Sequence, residues 1–225
     1  MRTTVLLALS ITAILTWMVV RRPHSAVTGE PSTAPPLTTY QRICLQCHGP
    51  EAGGNAELKA PSIAGQPEWH LQTQLSKFRQ GHRGTDPRDT PGQQMRAIAV
   101  TLSEDELAEA TQFISKLPSI PTKATQAGDA VRGRVIYEEQ CIDCHRYNGS
   151  GEQVFGSSPL TGFQDWYLSA QIEKYRIGSR GYHPDDEKGM QMRHLLSYLA
   201  DGDADDLAAY IATLADRYPP GQRKR

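Results

Sequence analysis

The sequence predicts an all-α protein built from two copies of one small domain, and three observations predict it. Residue types recur at one constant offset of 97 positions, from Cys44 and Cys141 through to Met95 and Met192. Within each copy, apolar residues are spaced three and four apart, with start and stop residues at the ends of the runs. No hairpin or βαβ signal interrupts them.

The repeat is the strongest of the three. The offset of 97 pairs Cys47 with Cys144 and His48 with His145. It continues through Gly65/Gly162, Trp69/Trp166, Leu71/Leu168, Gln74/Gln171, Lys77/Lys174, Gly81/Gly178, Arg83/Arg180 and Gly92/Gly189. No gap is needed between the cysteines and the methionine, so the chain is a duplication. The 225 residues carry a net charge of −1 with 22% charged residues, which excludes a nucleic-acid partner. Hydrophobic content is 38% and aromatic content 7%, thin for two self-sufficient cores, so a large apolar prosthetic group would help to fill them.

In chain order, residues 1–22 come first. Val5 to Val20 is apolar apart from Ser10, Thr12 and Thr16. Its length lies between the roughly 7–15 residues of an export signal and the roughly 20 of a spanning helix. It reads as a membrane anchor or as a cleaved signal peptide, and either places the rest of the chain outside the cytoplasm. Residues 23–37, with Pro31, Pro35 and Pro36, read as a flexible linker. The first domain is expected at 38–118, an inter-domain linker at 119–128, the second domain at 129–218 and a basic tail at 219–225.

The helices follow. Val131, Val135 and Ile136 suggest the inner face of a helix leading into Cys141. Trp69, Leu71, Leu75 and Phe78 mark a helix after Pro67, copied through Trp166, Leu168, Ile172 and Tyr175, with Gly81 and Gly178 as stops. Ser103 to Glu106 is a capping box opening a helix with Leu107, Ala110, Ile114 and Leu117 inside. Its copy places Leu207, Tyr210, Ile211 and Leu214 inside. The stretches between the cysteine motif and the middle helix read as loops.

The chemistry sits in Cys44-x-x-Cys47-His48 and Cys141-x-x-Cys144-His145, which use all four cysteines. This is the attachment signature of a c-type haem. Two thiols three residues apart reach the two vinyl groups of one porphyrin, and the adjacent histidine is delivered beneath the iron. One zinc ion, disulfides or redox dithiols could also use such pairs, but none of these needs the histidines. Met95 and Met192 each lie 47 residues past their histidine, both in Gly-x-Gln-Met. They are the expected second iron ligands, so His48 and Met95 hold the first iron and His145 and Met192 the second. Met190 is the local competitor, two positions out of register. His70, His82, His183 and His194 have no histidine at the repeat offset and read as surface or packing residues. Trp69/Trp166 and Arg83/Arg180 are doubled, and they read either as packing and solvated charge or as groups shaping the haem edge and bonding its propionates.

CLQCH at 44–48, PSIAGQPEWHLQTQLSKFRQGHRG at 61–84 and GQQM at 92–95 resemble the tandem two-haem cytochromes of the c-four type. So do their copies CIDCH, PLTGFQDWYLSAQIEKYRIGSRG and GMQM. The resemblance covers roughly residues 38–218. It implies two class I cytochrome c domains, each a few helices around one covalently bound haem, packed with their haems close. It implies a periplasmic electron carrier, with a donor such as a quinol-oxidising complex and an acceptor such as a terminal oxidase. Two departures are expected: tethering to the bacterial inner membrane if 1–22 is retained, and an acidic insert, Asp201 to Asp206, lengthening the loop near Met192.

The resulting expectation is one-electron transfer at each iron, without catalysis. The excess acid of the second copy, fifteen acidic against twelve basic residues over 124–225, could steer a basic partner. A subunit of a membrane-bound respiratory or dehydrogenase complex is the alternative. A two-haem peroxidase needs an open iron, which a matched methionine in each copy argues against. A sensor needs an open haem or an output domain, and none is read between the second copy and Arg225.

Overall fold

The computed structural model describes residues 37–122 and 124–218. The segment read as anchor or signal, nearly all of the linker after it and the basic tail lie outside them. Among the described residues there are nine α-helices and no strand. The first copy opens on a π-helical turn, Tyr40–Cys44, running into α1 (Leu45–His48), then α2 (Glu68–Arg79), α3 (Thr90–Ala99) and α4 (Glu104–Lys116). The second has α5 (Ala130–Gln140), α6 (Ile142–His145), a 3-10 turn at Gln153–Phe155, α7 (Asp165–Arg176), α8 (Glu187–Leu196) and α9 (Asp203–Arg217).

The last helix of each copy buries the expected face. Leu107, Ala110 and Ile114 of α4 and Leu207, Tyr210, Ile211 and Leu214 of α9 are buried. Each such aliphatic side chain stabilises the fold by about 1.5–3 kcal/mol. Leu117 is the α4 C-cap. Ser103 and Glu106 form the reciprocal cap, with Glu106 N–H donating to Ser103 Oγ at 3.2 Å and Ser103 N–H to Glu106 Oε2 at 3.0 Å. Gly81 and Gly178, at φ of 78° and 75°, follow the C-caps of α2 and α7 and take the left-handed conformation that stops a helix.

Two expectations are corrected, and a pair of helices left unassigned by the sequence is added. The inner face of α5 is Gly133 and Tyr137, with Ile136 packed against the core as expected, while Val131 and Val135 are exposed. A Cβ on Gly133 would lie 1.9 Å from the Asp206 carbonyl oxygen, so α5 crosses α9 backbone to backbone. The Gly-x-Gln-Met segments are helices in their own right. Asp89 caps α3 and Asp186 caps α8, accepting from Gly92 N–H and Gly189 N–H at 2.9 Å each. The acidic run is no loop insert: from Asp203 onward it is the first turn of α9, where carboxylates suit the helix dipole. Asp203 and Asp206 pair with Arg132, and Asp205 accepts from Ser169 Oγ at 2.5 Å, so these acids are spent inside the domain. Asp201, 95% exposed, pairs with Arg176 at 3.0 Å.

The copies meet across a local pseudo-two-fold seam. Thr85 and Tyr182 occupy equivalent positions and hydrogen-bond each other, as residues beside a two-fold axis do. Gln164 of the second copy bonds Ser62 N–H and the Gly53 carbonyl of the first, each at 2.8 Å.

Candidate functional site

Both cysteine pairs, His48, His145, Met95 and Met192 line one cavity of about 720 Å³ that spans the two copies. The short helices α1 and α6 carry the histidines. Each is pinned from behind: Tyr40 OH donates to the Gly49 carbonyl, and Tyr137 OH to the Arg146 carbonyl at 2.6 Å. Both tyrosines are fully buried. Sequence reasoning missed them, although they stand at the repeat offset a few residues before the first cysteine of each motif.

His48 Nδ1 donates to the Pro61 carbonyl and His145 Nδ1 to the Ser158 carbonyl, each at 2.8 Å. A carbonyl only accepts, so the proton sits on Nδ1 and Nε2 keeps its lone pair, the arrangement a metal-ligating imidazole uses. Burial pushes both imidazoles below their ordinary pKa against the opposing effect of these hydrogen bonds, which favours the neutral form. Met95 lies in α3 and Met192 in α8. Met190 is 39% exposed and does not line the cavity.

No disulfide joins any of the four cysteines. Burial, then the neighbouring Cys47, pushes Cys44 up to about 11; burial, then Cys144, pushes Cys141 up to about 12. Burial thus disfavours a thiolate at Cys44 and at Cys141. Among the described residues no cysteine joins a group of three or more ligands close enough to share an ion, which disfavours a zinc site.

The doubled polar residues of the middle helices build the seam. Arg83 donates to Gln74 Oε1 at 2.8 Å and to Gln171 Oε1 at 2.9 Å. Arg180 donates to Gln171 Oε1 at 2.7 Å and to Gln74 Oε1 at 3.0 Å. Arg83 lies 4.4 Å from the Phe78 ring centroid, and Arg180 4.6 Å from that of Tyr175. Lys77 Nζ reaches Asp186 at 2.7 Å, and Lys174 Nζ reaches Asp89 at 2.5 Å. The caps of α3 and α8 are therefore each held by a lysine of the other copy.

Arg83 and Arg180 are both buried, line the cavity and touch no carboxylate. Buried cations without anions are costly. Burial, then repulsion from Arg83, lowers the pKa of Arg180. Arg83 Nε and His70 Nδ1 are buried without a hydrogen-bond partner. Burial, then Arg180, Arg83 and Lys77, drives His70 down to about 3, so it is neutral. Trp166 lines the cavity, whereas Trp69 packs edge-on against His70 at 5.7 Å between centroids.

These features fit a c-type haem in each copy. Each copy offers two thiols, a neutral imidazole with Nε2 free and a thioether in an apolar cavity. The uncompensated guanidiniums suit the carboxylates that a haem carries.

The family described as cytochrome c matches residues 38–118 and 130–215. The thiosulfate dehydrogenase electron acceptor of Stutzerimonas stutzeri (strain A1501) is 28% identical over 186 residues, covering 77% of this chain and 80% of that protein. Cytochrome c4 of Stutzerimonas stutzeri is 29% identical over 181 residues, covering 76% and 84%. The crystal structure of reduced recombinant cytochrome c4 from Pseudomonas stutzeri superposes with a TM-score of 0.58 at 26% identity, covering 75% of this chain and 92% of that one.

Proposed function

Because this chain belongs to the cytochrome c family, matched once in each copy, we infer that it holds two covalent c-type haems and carries electrons one at a time between redox proteins. The observation that carries this reading is the pair of Cys-x-x-Cys-His motifs, each with a methionine 47 residues on, sharing one cavity. When bound, the haems supply a one-electron Fe(III)/Fe(II) couple.

The protein does the rest. Cys44, Cys47, Cys141 and Cys144 tether the porphyrins. His48 and His145 present Nε2 to the irons, oriented by Pro61 and Ser158. Met95 and Met192 would supply thioether sulfurs to the irons, which would favour the reduced state over a second histidine and leave no open coordination position for a substrate. Arg83 and Arg180 neutralise propionates at the seam. On this reading the molecule is a relay and not an enzyme.

The partners we propose are a quinol-oxidising complex as donor and a terminal oxidase as acceptor. Similarity to an electron acceptor of thiosulfate dehydrogenase adds a dehydrogenase of small oxidisable anions as a second donor class. The proposed location is the periplasm. Among the described residues no helix is long and apolar enough to cross a membrane, and the segment 1–22 read as anchor or signal is not among them.

Intact mass tests the central claim. Two haem masses per chain are expected, falling to one when Cys44 and Cys47 are both changed to Ala. A chain with no added mass, or with zinc, overturns it. Stopped-flow oxidation by membranes containing a terminal oxidase tests the acceptor.

A further inference from the structure

His82 and His183 have no histidine at the repeat offset, so the duplicated architecture does not account for them. One comes from each copy, and they meet. Their rings stack 4.3 Å apart with a 30° interplanar angle, and both are half-buried. Asp185 stands beside them, with Oδ2 3.8 Å from His183 Nδ1. One ligand atom from each of these three residues lies within 4.8 Å of the others, and no other such group exists among the described residues. We propose that His82, His183 and Asp185 form a binding site for one divalent transition-metal ion of the zinc or copper class, which clips the two copies together at the seam.

The ligand chemistry selects that class. Imidazole with carboxylate suits zinc, copper and nickel rather than magnesium or calcium. Zinc sits about 2.0–2.2 Å from such nitrogen and oxygen atoms, so two ligand atoms at a tetrahedral angle are about 3.3–3.6 Å apart. The 3.8 Å gap between His183 and Asp185 must close by a few tenths of an ångström, which the exposed Asp185 side chain allows. Three protein ligands leave the fourth tetrahedral position to water. The Nδ1 lone pair of His183 already points at Asp185, where it accepts from the backbone N–H at 3.2 Å. An ion would replace that long bond with a coordinate one.

The seam holds the parts in place. His82 lies in the segment after α2, and His183 and Asp185 lie in the segment before α8. The Thr85–Tyr182 hydrogen bond and the bond from Arg88 Nη1 to the Ile177 carbonyl, 3.3 Å, brace the two segments against each other. The residues equivalent to His82, His183 and Asp185 are Ser179, Asp86 and Arg88, which cannot form a second copy of the site. The expected stoichiometry is one ion per chain. An ion that binds only the docked copies stabilises them by mass action.

Zn²⁺ titrated calorimetrically into the EDTA-treated, haem-loaded full chain tests this. One saturable equivalent is expected, weakened at least tenfold by His82→Asn and by His183→Asn and severalfold by Asp185→Asn. Zn²⁺ is expected to raise the unfolding temperature of the wild type but not that of His82→Asn. Unchanged haem absorbance shows that each variant is folded and separates this result from any failure of the haem assignment. Absence of a saturable site in the wild type below millimolar Zn²⁺ overturns the proposal without any variant. Equal affinity in folded variants places the ion on other side chains and overturns it too.

Discussion

Lys77 of the first copy donates to Asp186 of the second at 2.7 Å, and Asp186 is at once the N-cap of the helix that carries Met192. The side chains are 18% and 5% exposed, so this is a buried ion pair whose rupture leaves one charge unsatisfied. Lys77→Met should destabilise the chain by about 3 kcal/mol. Asp186→Asn keeps a capping oxygen and loses the charge, whereas Asp186→Ala loses both and should cost about 1 kcal/mol more. Urea unfolding of the three variants checks the order. Equal stability of Asp186→Asn and Asp186→Ala would show that the cap contributes nothing.

The same pair sets an acid dependence. Burial by itself raises the pKa of Asp186, but the hydrogen bond and charge of Lys77 outweigh it and hold the carboxyl below its ordinary value. A carboxyl depressed in the folded state contributes stability that is complete above the unfolded value, about 3.9. That contribution is lost as the pH falls through the lower folded value. Urea midpoints should therefore drop below about pH 4 in the wild type. The deficit of Lys77→Met should shrink over the same range, and a deficit independent of pH contradicts the assignment.

The parts of the site written locally were legible in the sequence. Cys-x-x-Cys-His is a contiguous motif, and the methionines stand in the register of the repeat. The α4 and α9 faces carry enough apolar residues to reveal their period. What escaped depends on contacts between distant segments. The α5 face is centred on a glycine and a tyrosine because its partner is a backbone, so of the three apolar residues only Ile136 faces the core and Val131 and Val135 face solvent. Helices α3 and α8 hold few apolar residues and gain stability from packing rather than propensity; Asp89, Pro91 and Asp186 were the signals to read. Gln74, Lys77 and Arg83 were seen to repeat, but that repetition serves a seam that only the folded chain displays.

Gly133 is the sharpest steric prediction. Its missing Cβ lets α5 lie against the backbone of Asp206 and Leu207, with a would-be Cβ 1.9 Å from Asp206 O and 3.0 Å from Leu207 N. Backbone cannot move aside as a flexible side chain does. Gly133→Ala, which ordinarily favours a helix, should here destabilise by about 2–3 kcal/mol. A thermal melt should show a fall of roughly 4–12 °C, read at two to four degrees per kcal/mol. A rise in melting temperature would mean that the helices are not in close contact.

Met192 and Met190 are two residues apart in α8, on nearly opposite sides of the helix, and their surroundings separate them. Met192 lines the cavity with His145, and Met190 is 39% exposed beyond it. A thioether on iron raises the reduction potential relative to a second histidine and gives a weak charge-transfer band in the oxidised protein. Met192→His should therefore remove about half of that band, leaving the share of the first haem, and lower one of the two potentials. Met190→Leu should leave both potentials and the band as they are. Absorbance of the oxidised protein together with a potentiometric titration reads both effects. If Met190→Leu removes half of the band while Met192→His does not, the iron of the second haem is held by Met190, and α8 must turn by about two residues to present it.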